Sequence, residues 1–471
     1  MFSVHLTNYK IISVKPIDLK EDYRRLVRES KLNMLGSPES DYQDVLLALQ
    51  KHQTWFSESI PLVASENIPS PAVREAMVSD FMNRYAEGWP GERVYAGCTY
   101  IDQVETTCIK LAERLFESDF ADVRPVSGVT ANLAVYSAIS DPGERMFALS
   151  IPNGGHISVG RKEFAGTAGL VHGLRVEYFP FNKDEMNIDI DKTKMKIKRM
   201  VEENDAPKFV MFGGSLFLFP HPVSELADFL KSYGIKVCYD SAHVAGLIAG
   251  HQFQDPLREG AEIMTMSTHK TLFGPQGGAI LAFNQYAEPI KKAVFPGMTS
   301  NHHLHSVAGK AIAFAEMLKF GQEYAFQIIK NAKALAQSLY DRGLTVLAEK
   351  KGFTKSHQIV LDITKYGLGG DIERRLEKSN VILNRQLIPG DTKKGRHYMN
   401  PGGLRIGVSE VTRLGMKELE MDQIAAFIHS TVVKEEDTEK VKADVTEFRR
   451  DFQQVHYCFD PGEAYRYIKI R

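Results

Sequence analysis

Glu262-Ile263-Met264-Thr265-Met266-Ser267-Thr268-His269-Lys270-Thr271-Leu272-Phe273-Gly274-Pro275-Gln276-Gly277-Gly278 decides how this chain is read. The run Ile263-Met264-Thr265-Met266 has the length and apolar character of a buried strand. It delivers Lys270 among small hydroxyl residues, just ahead of a glycine-rich turn, where an amine is placed to react. Upstream, Val237-Cys238-Tyr239-Asp240-Ser241-Ala242-His243 ends a second such strand on an aspartate and a histidine. Alone, Lys270 reads as a surface lysine in a loop. Beside the Asp240 strand end, the reactive reading is preferred. A lysine, an aspartate and a histidine at neighbouring strand ends point to pyridoxal phosphate chemistry, with the lysine as Schiff-base anchor and the aspartate on the pyridinium nitrogen.

Working outward, apolar strand-length runs recur at 146–150, 209–212 and 279–282, with helix-patterned segments at 107–115, 132–139 and 223–232. Alternation of buried strands and helices predicts an α/β domain with a largely parallel sheet. Beyond a helix over 306–318 the pattern changes. A helix over 324–342 leads to shorter strands at 344–347 and 358–363 and helices at 371–376 and 417–429, predicting a smaller C-terminal α+β domain. The expected organisation is an N-terminal arm and helix over 1–60, a large cofactor-binding domain over 61–318, a small domain over 319–435 and an extension over 436–471. Pro16 and the turn signal at Gly36 belong to the arm, within which Met34 could be an internal start. Val45, Leu46, Leu49, Trp55 and Phe56 have helical spacing. Residues 435–442 read as a solvated linker or helix face. The last 26 residues carry Phe448, Phe452, Tyr457, Phe459, Tyr465 and Tyr467, an aromatic weight expected to pack on a surface.

At 471 residues the chain exceeds a single core. The 58 basic and 59 acidic residues leave a net charge of −1, which gives no support to a nucleic-acid or membrane-surface partner. Cys98, Cys108, Cys238 and Cys458 lack metal-ligand spacing and read as free thiols of a reducing compartment. Lys10, Lys15 and Lys20 interrupt any apolar signal core, so the expected location is cytoplasmic.

Four further constellations carry chemistry. Ser127-Gly128-Val129-Thr130 precedes a predicted helix, so its N–H groups and hydroxyls can hold a phosphate at a helix N-terminus. In Gly154-Gly155-His156, the histidine can lie flat and stack on an aromatic ring, or serve as a loop histidine with a structural hydrogen bond. Arg405, in Gly402-Gly403-Leu404-Arg405-Ile406-Gly407, is carried inward on an apolar strand. Its guanidinium suits an amino-acid carboxylate, with a structural ion pair as the competing reading. Residues 85–97, Tyr-Ala-Glu-Gly-Trp-Pro-Gly-Glu-Arg-Val-Tyr-Ala-Gly, are poor in core formers and rich in polar groups, which favours a binding loop.

With Leu62-Val63-Ala64-Ser65-Glu66-Asn67, these motifs resemble the serine hydroxymethyltransferases in order and spacing over about 41–429. Phe212-Gly213-Gly214-Ser215-Leu216-Phe217-Leu218-Phe219-Pro220 and Ser300-Asn301-His302-His303-Leu304-His305 resemble the archaeal branch. The resemblance implies a fold-type I pyridoxal phosphate enzyme, a homodimer or a dimer of dimers. Such an enzyme interconverts serine and glycine and passes a one-carbon unit to a reduced pterin. It further implies Lys270 as the covalent cofactor anchor, Asp240 on the ring nitrogen, His156 stacked on the ring, and His243 near the cofactor oxygen and the substrate. Ser127, Gly128 and His269 would hold the phosphate, with Tyr85 reaching it from the partner subunit. Arg405 and Ser65 would bind the substrate carboxylate. Glu87 and Tyr95, also from the partner, would face the serine hydroxyl and handle its proton.

Departures from the family pattern gather where the pterin would lie or subunits meet. Val94 stands where a tyrosine is usual, Gln276 replaces an arginine, Gln386 an asparagine, and Met298-Thr299-Ser300-Asn301-His302-His303 takes the place of a glycine-rich loop. The expectation is therefore retained amino-acid chemistry with a carrier of either the tetrahydromethanopterin type or the tetrahydrofolate type. The alternative is a pterin-independent threonine or allo-threonine aldolase of the same cofactor class. An aminotransferase would need a second arginine clamp that nothing here resembles, and a non-catalytic scaffold would not need Lys270, Asp240 and Arg405 together.

Overall fold

The structure, a computed structural model, describes residues 37–470. The expected arm with Pro16 and Met34 lies outside the described residues. The chain forms two units that meet in sequence at Thr54 and Trp55. What is described of the first belongs to helix Pro38–Glu58. Everything below concerns the second.

A seven-stranded sheet forms its centre, in the order Phe120–Asp122, Gly278–Ala282, Ile263–Ser267, Lys236–Asp240, Phe209–Gly213, Arg145–Ala148, Arg175–Tyr178. Gly278–Ala282 runs antiparallel to both neighbours. The remaining pairs are parallel, so six strands share one direction. Successive strand side chains point to opposite faces, and both faces here are covered. Val210, Phe212, Val237, Tyr239, Met264 and Met266 enter one apolar core. Phe209, Met211, Cys238 and Ile263 enter another with Met146 and Ala148. This two-sided burial is why the central strands read as unbroken apolar runs.

The two edge strands, Phe120–Asp122 and Arg175–Tyr178, gave no such signal. They are short, and the second alternates charged and apolar residues because it is buried on one side only. A second sheet of four antiparallel strands, Thr345–Val346, Gln358–Asp362, Gly403–Gly407 and Asn384–Gln386, packs against helix Gly369–Lys378, which in turn meets helix Glu418–Val432.

The helices expected over 306–318 and 324–342 are one helix, Leu304–Asp341, of 38 residues. Gly321 in its middle would ordinarily weaken a helix. Here its carbonyl lies where a Cβ on Gly250 would be only 2.4 Å away, so the missing side chain lets two backbones meet. Residues 435–442, expected as linker or helix face, enter helix Thr438–Arg449, capped by Asp437. The aromatic tail does pack: Tyr457 lies 5.3 Å from Tyr324, Phe459 5.3 Å from Phe320, and Tyr465 donates to Glu410 at 2.5 Å. Among the described residues no helix is long and apolar enough to cross a membrane.

Candidate active site

Parallel strands bring their C-terminal ends to one edge, where α/β sheets place ligands. Gly213 pairs with Asp240 and Asp240 with Thr265, so the strand ends carrying Asp240 and, three residues past Ser267, Lys270 are neighbours. At that edge lies a cavity of about 270 Å³ walled by Ser65, Ser127, Gly128, Val129, Asn132, His156, Gly214, Asp240, Ala242, Ser267, His269 and Lys270. Seven residues expected from sequence (Lys270, Asp240, His156, Ser127, Gly128, His269 and Ser65) therefore converge on one space.

Lys270 is 8% exposed. Burial, reinforced by Arg405 and opposed by Asp240, brings its ammonium down to about 8. A neutral, nucleophilic amine is thus accessible near neutral pH. The hydroxyl residues around it hold the loop in place. Thr268 Oγ1 donates to the Pro275 carbonyl at 2.7 Å, and Thr271 Oγ1 donates to that of His243 at 3.0 Å. Asn67 Nδ2 donates to the Lys270 carbonyl at 2.7 Å, tying the Leu62-to-Asn67 stretch to the same loop.

Asp240 is 4% exposed, and each of its carboxylate oxygens has a donor: the Ala242 N–H at 3.0 Å and Asn132 Nδ2 at 2.8 Å. Opposite stands the start of helix Gly128–Ile139, whose N-cap Ser127 accepts the Thr130 N–H. A Cβ on Gly128 would fall 2.5 Å from Ser267 Oγ, so glycine allows this helix start to touch the strand end beside the lysine. His269 presents a buried Nδ1 with no hydrogen-bond partner among the described residues. Burial and the nearby Lys270 hold its imidazole at about 4, hence neutral.

Arg405 comes from the four-stranded sheet. Burial lowers it to about 10, still charged at neutral pH. Its Nη1 donates to the Ser215 carbonyl at 2.8 Å and its Nε to Asn384 Oδ1 at 3.1 Å. Gly407 N–H donates to the Leu62 carbonyl at 2.8 Å, which seats Ser65 beside the strand that carries Arg405. His243 is buried against that sheet, its Nδ1 accepting from Gln358 Nε2 at 2.9 Å, and burial drives it well below the usual histidine range. Gln358 Nε2 also reaches the Ser215 carbonyl at 2.9 Å, so the two sheets are joined at the site by hydrogen bonds.

Tyr85, Glu87 and Tyr95 are elsewhere. The cavity wall contains none of them, and Tyr85 and Tyr95 are 45% and 46% exposed with their rings 4.9 Å apart. Their loop is nevertheless ordered by a buried cluster. Arg93 donates to Glu105 at 2.9 Å, to Asp102 at 2.8 Å and to the Ala86 and Gly88 carbonyls. His302 meets Glu105 at 2.8 Å, and Asn301 Oδ1 accepts the Ala86 N–H. Val94 is exposed, as is Gln276. Gln386 is half-buried and donates to the Leu387 carbonyl.

Sequence reading assigned no role to Asn132, Gln358 or Asn67, whose side chains hydrogen-bond Asp240, His243 and the Lys270 carbonyl. Asn132 lies five positions after Ser127, an interval with no chemical signature of its own. A larger hollow of about 720 Å³, lined by Arg145, Arg161 and Arg175, lies apart from these groups. Its arginines are already paired with Asp205 and Glu177.

The family model described as serine hydroxymethyltransferase matches residues 39–428. A serine hydroxymethyltransferase of Nitrosopumilus maritimus is 62% identical over 431 residues, covering 91% of this chain and 98% of the relative. One of Cenarchaeum symbiosum is 63% identical with the same coverage. Another, of Methanocaldococcus jannaschii, is 52% identical over 428 residues, 90% of this chain and 97% of its own. No aldolase is among these relatives. With a family match over most of its length and a mostly parallel sheet ending at a buried lysine, the chain belongs to the serine hydroxymethyltransferases, pyridoxal-phosphate-dependent transferases of fold type I.

Proposed function

We propose that the cavity around Lys270 is where this serine hydroxymethyltransferase holds pyridoxal phosphate and its amino acid, and that its one-carbon acceptor is a reduced pterin. The observation that carries the reading is the buried Lys270 amine, lowered to about 8, sharing a 270 Å³ cavity with Asp240. That volume lies just below the usual range of small-molecule sites, about 300–1,000 Å³. The residues fit the cofactor. A buried carboxylate is there for a ring nitrogen, a helix N-terminus for a phosphate, and the unpartnered His269 Nδ1 for a further polar atom.

Bound there, pyridoxal phosphate supplies the electron sink for the charge left on Cα when the Cα–Cβ bond of serine is cleaved. Lys270 supplies the neutral amine that holds the cofactor. Asp240 would keep a proton on the ring nitrogen, and His156 and His243 would hold the ring and its oxygen. Ser127, Gly128 and His269 bind the phosphate. Arg405 offers Nη2, which has no partner among the described residues, to the substrate carboxylate with Ser65. In this reading residues 61–318 carry the cofactor and residues 319–435 bring the carboxylate-binding arginine.

Glu87 and Tyr95, with Tyr85, come from a second copy of the chain and complete the site in a homodimer. Glu87 then moves the proton of the serine hydroxyl, and Tyr85 reaches the phosphate. The pterin is of the tetrahydromethanopterin type or is tetrahydrofolate, and the enzyme works in the cytoplasm. Borohydride reduction of the loaded enzyme followed by peptide mapping is expected to label Lys270. Label at another lysine would overturn the site. Calorimetric titration with both pterins, in the presence of glycine, then identifies the carrier. Binding of neither would remove the pterin from the reading.

A further inference from the structure

Asn132 stands on the sheet-facing side of helix Gly128–Ile139 and is 1% exposed. Its amide joins three other elements. Nδ2 donates to Asp240 Oδ2 at 2.8 Å and to Ser158 Oγ at 2.9 Å, while Oδ1 accepts the Thr265 hydroxyl at 2.6 Å. The amide has one workable orientation. Turned over, its oxygen would face the oxygen of a carboxylate, acceptor against acceptor. The Thr265 hydroxyl therefore secures the end that points away from Asp240.

The line continues through Ser158. Its hydroxyl lies 2.8 Å from His156 Nδ1, and its backbone N–H donates to that same nitrogen at 3.2 Å. Nδ1 is thus an acceptor, and the proton of the neutral ring sits on Nε2. Ser158 Oγ takes a hydrogen from Asn132 and gives its own to His156. One helical turn after Asn132, Tyr136 donates to the Ser158 carbonyl at 3.3 Å, so the same helix grips Ser158 twice.

We propose that Asn132 is a positioning residue that orients the Asp240 carboxylate and the His156 imidazole together, one for each part of the cofactor ring they serve. The inference rests on the assignment of Asp240 and His156 to that ring. It adds a dependence between them. Asp240 has its Oδ1 held by the Ala242 N–H and its Oδ2 by Asn132, so removing Asn132 frees one oxygen of the carboxylate and, through Ser158, loosens the imidazole. A residue that only filled space would disturb neither group selectively.

The test uses the full-length enzyme and three variants, N132A, S158A and T265V. It reads the dissociation constant for pyridoxal phosphate, the pH profile of the visible absorbance of the loaded enzyme, and the ring ¹⁵N resonances of His156. Losing a hydrogen bond to a charged group predicts a cofactor dissociation constant about 10- to 100-fold weaker for N132A, with a displaced absorbance profile and a shifted His156 Nδ1 resonance. T265V keeps the shape of its side chain but releases the amide, so it must move both signatures to a smaller extent. S158A must move the His156 resonance most, with a smaller loss of affinity because Asp240 keeps its donor. Should N132A fail to fold, T265V and S158A decide the matter. Folded variants with an unchanged absorbance profile and unchanged His156 resonances overturn the proposal. A wild-type enzyme that develops no visible band with pyridoxal phosphate overturns the site assignment instead, so the two failures are distinct.

Discussion

The Lys270 cavity and the Tyr85-to-Gly97 loop were both marked by sequence as binding regions, yet they are built in opposite ways. At the cavity, strand ends and a helix start converge, with Arg405 tied in through the Ser215 carbonyl, and the chemical groups are buried and hydrogen-bonded. In the loop, the buried part is the support, Arg93 with Glu105 and His302, while Tyr85 and Tyr95 face outward. A group that must be neutral or desolvated needs the first design. A group held out rigidly for something arriving from outside is served by the second. A buried ion pair under an exposed aromatic pair fixes position at the cost of desolvating charges.

The sharpest way to break the comparison is to strike each side separately. Replacing Lys270 with alanine should abolish the visible band of the bound cofactor and lower serine turnover about 100- to 10,000-fold, with the fold unchanged by circular dichroism. Next in size is R93A. Removing one partner of a buried pair costs about 3–5 kcal/mol, measured by urea unfolding, and serine turnover should fall with it while the visible band persists. R93K keeps the charge but not the planar fork, and should lose less. If R93A instead released the cofactor, the two regions would not be independent.

Acidity gives a third handle. The folded lysine lies at about 8, below the usual value for a free lysine. Only the neutral amine attacks, so the rate of cofactor capture by cofactor-free protein should rise with pH and level off above about 8, as followed by stopped-flow absorbance. The unfolded chain binds the extra proton between that value and the ordinary lysine range. Stability of the cofactor-free protein should therefore rise with pH across that window. The smallest structural effect is expected from Y95F. An exposed hydroxyl contributes within about 0.5 kcal/mol to stability, so any large fall in serine turnover would mark it as part of the reacting site.

Much of the site was legible because its chemistry is concentrated in few residues at strand ends. Lys270, Asp240, His156 and Arg405 carry unusual functional groups next to apolar runs or glycines, and such neighbours leave a pattern in one dimension. The central strands were legible for the same reason, being buried on both faces. The edge strand Arg175–Tyr178 was not, because half of it faces solvent and reads as ordinary charged sequence. The single helix Leu304–Asp341 was read as two, with Gly321 in the gap between them, and only Gly250 across the contact shows why a glycine there leaves the helix unbroken.

By itself, then, the sequence determined the fold class and the family and pointed to candidate reacting groups, since each is written in side-chain type and local spacing. Tertiary structure alone decided how those groups are tuned. The lowering of Lys270 depends on burial and on Arg405, 135 positions away in the numbering and brought close by a different sheet. Asn132 reaches Asp240 only because a helix start and a strand end meet across Gly128 and Ser267. Desolvation and hydrogen-bond direction are properties of neighbours in space, and spacing along a chain does not contain them.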